Sequence, residues 1–129
     1  MSGIYFNWID ELFEAIEDTQ DMNRVREIVE AGYNINVQIE EGCTPLIAAV
    51  LTGNLEMVKL LVELGADVNL IDGYLESPLY YANYNGFKGI VEYLEPMTNA
   101  KIRAAVERSM SGISYPPKRR EKSLAKRLT

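Results

Sequence analysis

The chain has 129 residues, which is long enough for one compact domain with a real core. It contains no histidine and one cysteine, and this excludes Ser-His-Asp and Cys-His catalytic pairs, imidazole metal ligands, an internal disulfide and a thiolate zinc site. The net charge of −6 argues against nucleic-acid binding by the folded body, and no apolar run approaches the roughly 18 residues that span a bilayer.

The first predicted helix carries an acidic stripe. One interpretation is a solvated outer face, and the other is a docking face for a basic partner, which would associate faster at low salt. Tyr5 and Trp8 precede the stripe, and we expect them to close the N-terminal end of the core. Five acidic residues share this side of the helix: Asp10, Glu14, Glu17, Asp18 and Asp21.

The middle of the chain predicts two short helices joined by a turn. Thr44 is a good N-cap, and Pro45 suits the first helical position because its missing N–H would be unpaired there. Gly53 and Asn54 break the run, and Gly65 is placed to end the second helix. The second helix has apolar residues at helical spacing: Met57, Val58, Leu60, Leu61 and Leu64.

This pattern recurs at a period of 33 residues in both directions along the chain. A period that links three segments without gaps predicts a repeat architecture, with units at about 6–38, 39–71 and 72–96. A final amphipathic helix at about 98–111 is predicted to close the stack, with Ile102, Ala105, Val106 and Met110 on its apolar side. The shift aligns Pro45 with Pro78, Leu46 with Leu79, Gly53 with Gly86, Val58 with Val25, Gly65 with Gly32, and Asn69 with Asn36.

The middle unit resembles the ankyrin repeat. Its opening, residues 42–49, is similar to the family pattern G-x-T-P-L-H-x-A with Ile47 at the histidine position, and residues 65–69 read G-A-D-V-N. The third unit keeps Ser77-Pro78-Leu79, with Tyr80 at the histidine position and Leu75 where a turn glycine is common. The resemblance implies an all-α solenoid of paired antiparallel helices with short hairpin-like turns, forming a domain over residues 1–115.

The same resemblance implies a non-enzymatic module that binds a protein partner through a concave face made of turn tips and inner helices. We expect Tyr74 and Tyr84 to contact a partner, because tyrosine offers a large area and a hydroxyl group. We expect Tyr80, Tyr81 and Tyr93 to pack between repeats. The positions carried over are Glu40, Glu41, Cys43, Leu51, Thr52, Gly73, Tyr74, Glu76, Tyr84 and Asn85.

Little catalytic chemistry is visible in the sequence. Cys43 has no imidazole to activate it, so we interpret it as inert. The segment from Asp67 to Gly73 faintly resembles a calcium loop, but Ile71 stands at a ligand position and Pro78 replaces the closing glutamate. We therefore predict no cofactor, no metal and no small-molecule substrate.

The last fourteen residues differ sharply in charge from the rest. Residues 116–129 carry a net charge of +5, whereas residues 1–115 have 7 basic and 18 acidic residues, a net charge of −11. We predict a tail that is disordered on its own and hypothesise that it folds back over the acidic body. Contact with nucleic acid or an anionic membrane is the less favoured use. The basic residues are Lys118, Arg119, Arg120, Lys122, Lys126 and Arg127.

Two functional classes remain open from sequence alone. One is an adaptor, inhibitor or immunity-type regulator that masks a site on its partner, whose surface would be basic if the acidic stripe binds it. The other is a structural unit that self-associates through its tyrosine-rich edges. We expect a monomer when unbound, and a cytoplasmic protein, because the N-terminus shows no signal-peptide pattern.

Overall fold

The computed structural model describes residues 6–111, and the regular structure within them is helical. Three helix pairs follow one another and a seventh helix closes the stack, which confirms the predicted all-α solenoid. Two short 3₁₀ turns lie at Glu40–Gly42 and Glu95–Met97. The helices are α1 (Trp8–Glu17), α2 (Met22–Glu30), α3 (Pro45–Thr52), α4 (Leu55–Glu63), α5 (Pro78–Tyr84), α6 (Lys88–Leu94) and α7 (Ala100–Ser111).

The helix starts follow from local sequence chemistry. The hydroxyls of Thr44 and Ser77 each accept a 3.1 Å hydrogen bond from the backbone N–H three residues on, which caps α3 and α5. Pro45 and Pro78 occupy the first helical turn, as the sequence predicts. Side-chain oxygens also cap α1 through Asn7, α2 through Asp21 and α4 through Asn54.

The core lies between an inner layer, α1, α3 and α5, and an outer layer, α2, α4 and α6. Each inner helix packs on the next, and each also packs on the outer helix of its own pair. Ala48 and Ala49 on α3 are buried, and their small side chains let neighbouring inner helices approach closely. The largest fully buried side chains come from all three pairs: Tyr81, Leu12, Ile16, Leu46, Ile47, Met57, Leu61, Leu79, Ile90, Leu94, Val25 and Val50.

Asparagine side chains tie one repeat to the next. The carboxamide oxygen of Asn36 accepts a 2.8 Å hydrogen bond from the N–H of Asp67. One repeat further on, Asn69 accepts a 2.9 Å bond from the N–H of Asn99 in the same way. Because Asn99 also caps α7, the last helix begins where the connection to another repeat would start.

The helix α7 packs on α5 and ends the described part of the chain. It buries Val106 and half-buries Ile102 and Met110, while Ala105 is exposed. The predicted basic tail, residues 116–129, lies outside the described residues.

Candidate functional site

Two turns, residues 39–43 (the first turn) and 72–76 (the second turn), meet at their backbones. The N–H of Gly73 donates a 2.8 Å hydrogen bond to the carbonyl of Glu41. A Cβ atom on Gly42 would lie 2.6 Å from the nitrogen of Gly73, and the φ of Gly42 is +76°. Only glycine therefore permits this approach, which joins the two turn tips into one surface.

The second turn is organised by a buried carboxylate. One oxygen of Asp72 accepts the N–H groups of Tyr74 at 2.9 Å and Glu76 at 3.0 Å. The other oxygen accepts a 2.5 Å hydrogen bond from the hydroxyl of Tyr81, which is fully buried. These bonds support Leu75 at a φ of +64°, the left-handed region that Gly42 occupies in the first turn.

The inner helices present a row of side chains beside the turns. Leu51 on α3 and Tyr84 on α5 occupy corresponding positions 33 residues apart, and both are half-buried. The ring of Tyr84 stacks on Tyr80, with centroids 6.0 Å apart and planes 13° apart. One period before Leu51 stands Asp18, which is exposed. The row therefore changes from acidic to aliphatic to aromatic along the stack.

Thr52 and Asn85 follow this row at the ends of their helices. The hydroxyl of Thr52 donates to the carbonyl of Ala49 at 2.7 Å, and the carboxamide of Asn85 donates to the carbonyl of Tyr81 at 2.7 Å. Their polar groups therefore close the ends of α3 and α5.

Most predicted contact residues are accessible on this face, and we call them the recognition surface. Glu40, Gly73 and Asn85 are exposed, and the other members are half-buried. Their use by a partner stays a prediction. The members are Glu40, Glu41, Leu51, Thr52, Gly73, Tyr74, Glu76, Tyr84 and Asn85.

Cys43 does not belong to this surface, and its placement there from sequence was wrong. Its side chain is 7% exposed and lies in the core. Its carbonyl accepts a 2.9 Å bond from the N–H of Ile39, which closes the first turn and turns the thiol inward. Its side chain therefore offers almost no accessible area to a partner.

The acidic stripe was also predicted too long. Helix α1 ends at Glu17, Asp18 is its C-cap, and Asp21 instead caps α2 by accepting the N–H of Arg24 at 3.1 Å. Of the five predicted residues, only Asp10, Glu14 and Glu17 lie on α1. Asp10, Glu14, Asp18 and Asp21 are exposed and Glu17 is half-buried, so an acidic surface persists on both sides of the turn.

Arg24 is a basic residue of α2 that follows this acidic surface in the chain. It pairs with Glu11 at 3.1 Å and with Glu27 at 3.2 Å, and neither of these belongs to the stripe. Hydrogen bonds to Glu11 and then to Glu27 raise the pKa of Arg24 above its ordinary value.

Three tyrosines are predicted from sequence to pack between repeats, and two of them are buried. Tyr80 and Tyr81 are buried, as predicted, whereas Tyr93 on α6 is half-buried with the Lys59 ammonium 5.8 Å from its ring centroid. Burial, and secondly the charge of Glu63, raise the pKa of Tyr93 above its ordinary value.

At the N-terminal end, Trp8 packs on the core and stacks on Tyr33, with ring centroids 5.0 Å apart. This position is the one predicted for Trp8. Tyr5, which the sequence analysis placed beside it, lies outside the described residues. The partner ring at Tyr33 was not anticipated from sequence.

A groove that sequence reasoning missed lies between the second turn and α7. Its volume is about 410 Å³, and we call it the C-terminal groove. Among residues 6–111 no further turn covers the second one, because α7 follows Asn99 directly, and Leu75 is 76% exposed. The sequence did carry a signal for this groove, because no turn-forming segment stands between Asn99 and the predicted last helix. The lining residues include Ile71, Leu75, Glu76, Tyr80, Ile102 and Ala105.

Residues 6–111 contain neither a candidate metal site nor a candidate membrane span. No group of three or more acidic or cysteine side chains there could hold a metal ion. Within the same residues, none of the helices combines the length and the apolar character that crossing a membrane requires.

The chain matches the model of a known protein family. The family model described as ankyrin repeats in three copies matches residues 12–105, so the chain belongs to the ankyrin repeat family. Ankyrin repeats are protein-interaction modules, and the predicted family and fold are confirmed.

Several relatives are themselves small ankyrin proteins. The chain is 44% identical over 73 residues to the Notch-regulated ankyrin repeat-containing protein of Xenopus tropicalis, a match that covers 57% of this chain and 62% of that one. The Homo sapiens protein of the same name is 38% identical over 89 residues, or 68% and 76% of the two chains. Alpha-latrotoxin-Lg1a of Latrodectus geometricus is 43% identical over 70 residues, 53% of this chain but 5% of the toxin. The chain thus spans less than two thirds of the frog relative's length.

Proposed function

We propose that this chain is a non-enzymatic, cytoplasmic adaptor or inhibitor that binds one protein partner through the recognition surface and masks a site on it. The observation that carries this proposal is the hydrogen bond from Gly73 to Glu41, because it joins two turns into a continuous face. The vertebrate relatives are named as Notch-regulated proteins, and this name supports a regulatory setting.

The partner's chemistry follows from the order of side chains on this face. Asp18 in the first unit and Glu40 and Glu41 in the second supply negative charge, and Leu51 in the second unit and Tyr84 in the third supply apolar area. A matching partner presents basic groups beside an apolar or aromatic anchor. The charge contacts set the association rate and its salt dependence, whereas the tyrosine contributes more to the lifetime of the complex.

Quantitative capture with tagged variants tests the surface. We expect the double variant Tyr74→Ala/Tyr84→Ala to lose proteins that wild type retains, because both aromatic side chains lie on the recognition surface. Tyr93→Ala is the matched control, since Tyr93 is a half-buried tyrosine of the outer layer. If the double variant and wild type retain the same proteins, the recognition surface is misassigned.

A structural, self-associating unit is the second candidate. The exposed Leu75 at one end and the exposed Phe6 at the other favour it, since 76% and 46% of their surfaces are accessible. We propose that the unbound protein is nevertheless a monomer. Light scattering over a concentration series separates the two functions, because a constant monomer mass would refute self-association.

A further inference from the structure

The C-terminal groove exposes an apolar face of the second turn, whereas the other face of that turn is covered by the first turn. In the stack, the first turn packs on one side of the second turn through the hydrogen bond between Glu41 and Gly73. The side chain of Gln38 adds a 3.0 Å bond to the carbonyl of Ile71. In the described part of the chain no such turn packs on the opposite side of the second turn, and Ile71 and Leu75 are exposed there beside α7.

The shape of the groove suits an extended segment. It runs along α7 from Lys101 to Ser109, a helical rise of about 12 Å. Ile71, Leu75 and Ile102 supply apolar contacts along it. Five extended residues span about 16 Å and would cover its length.

We propose that residues 113–117 of this same chain occupy the C-terminal groove. Helix α7 ends at Ser111, at the Ser109 end of the groove, and Gly112 can reverse the chain there. The segment that follows reads Ile113-Ser114-Tyr115-Pro116-Pro117. It offers two apolar anchors two residues apart, and then two prolines that favour extended backbone. An extended strand directs Ile113 and Tyr115 to one side and Ser114 to the other.

Charge supports the direction of this docking. A segment running back from the end of α7 delivers Lys118, Arg119 and Arg120 to the turn end of the groove. Glu76 lines the groove together with one cation, Lys101, and the first turn, which carries Glu40 and Glu41, packs against the second turn, so acidic groups outnumber basic ones there. The described body has a net charge of −11 and the tail has a net charge of +5. The tail is therefore attracted to the body as a whole as well as to these glutamates.

Tethering favours this occupant over a free partner of the same chemistry. A short linker holds the segment at an effective concentration in the millimolar range, so even modest contacts fill the groove. Glu76 belongs both to the groove and to the recognition surface, so the docked tail would compete with a partner. That competition rests on the proposed function, whereas the docking itself does not.

Cysteine pairs in the full chain test the docking directly. In a Cys43→Ser background, Leu75→Cys/Tyr115→Cys should form an intramolecular disulfide under mild oxidation at least tenfold faster than Glu30→Cys/Tyr115→Cys. Glu30 is the control because it is exposed on α2, at the far end of the stack. Equal rates would overturn the proposal, and disulfide-linked dimers would overturn it in favour of a second copy as occupant.

Amide hydrogen exchange gives a second readout without cysteines. Tyr115→Asp should speed exchange in residues 69–77 at least threefold, because the segment leaves the groove. Ser114→Asp places the same charge on the side of the segment that faces away and should change exchange there less than twofold. Equal exchange in both variants and wild type, with unchanged circular dichroism, would exclude the docked segment.

Discussion

The N–H of Gly73 lies 2.8 Å from the carbonyl oxygen of Glu41, and this bond brings two turns from successive repeats into contact. It requires that Gly42 and Gly73 both lack a side chain, because a Cβ on either would lie within 3 Å of the opposing backbone. The recognition surface thus depends on a close backbone approach as much as on the side chains that it displays.

A methyl group at Gly42 should separate the turns. We expect Gly42→Ala to lower the free energy of unfolding by about 2–4 kcal/mol, since the added Cβ meets the nitrogen of Gly73 at 2.6 Å and the left-handed backbone is strained. Gly86→Ala is the matched control, because Gly86 has nearly the same φ, +72°, but has nothing within 4 Å of its Cβ position. Urea unfolding measures both, and equal losses would contradict the close approach.

The hydroxyl of Tyr81 should contribute to stability through Asp72. Tyr81→Phe leaves one oxygen of a buried carboxylate without its 2.5 Å donor, so we expect a loss of about 1–3 kcal/mol in urea unfolding. Tyr33→Phe removes a hydroxyl at an exposed position and should change stability by less than about 0.5 kcal/mol. A Tyr81→Phe protein as stable as wild type would refute the role of this bond.

Replacing Gln20, in the turn before α2, with glycine should stabilise the protein. Gln20 has a φ of +52°, and the corresponding positions one and two repeats later are Gly53 and Gly86, both with positive φ. Gln20→Gly should therefore raise the unfolding free energy by about 0.5–1 kcal/mol. The substitution also removes an exposed hydrogen bond that the side chain of Gln20 accepts from Asn54, and this loss offsets part of the gain in stability. Thr19→Gly, at a neighbour without positive φ, should not stabilise, and thermal unfolding of both variants distinguishes the two effects.

Stability at alkaline pH should depend on Tyr93. Because burial and Glu63 raise the pKa of this phenol in the folded state, the unfolded state releases the proton first as pH rises. The free energy of unfolding should therefore fall from the ordinary tyrosine pKa, about 10, upward until the folded pKa is passed. Tyr93→Phe should fall less steeply between pH 9.5 and 11.5 in urea titrations. Parallel curves for the two proteins would contradict the shifted pKa.

The sequence predicts the elements that depend on local chemistry and on the period of 33 residues. Thr44 and Ser77 cap the helices as expected, and the buried residues recur in register. The acidic stripe was predicted too long because glutamine rarely takes the left-handed backbone that Gln20 adopts, so the end of α1 carried no strong signal. The burial of Cys43 depends on how the first turn closes, and the C-terminal groove depends on the lack of a third turn within residues 6–111. Neither is encoded in any single residue.

The recognition surface can be tested most directly by affinity for a captured partner. The dissociation constants of wild type, Tyr84→Ala and Tyr93→Ala for one purified partner should be compared at low and at high salt. The account predicts that Tyr84→Ala binds at least tenfold more weakly, which is about 1.4 kcal/mol, and that Tyr93→Ala stays within twofold of wild type. If Tyr84→Ala binds as tightly as wild type, or if Tyr93→Ala loses as much affinity, the partner does not use the face formed by the two turns and the inner helices.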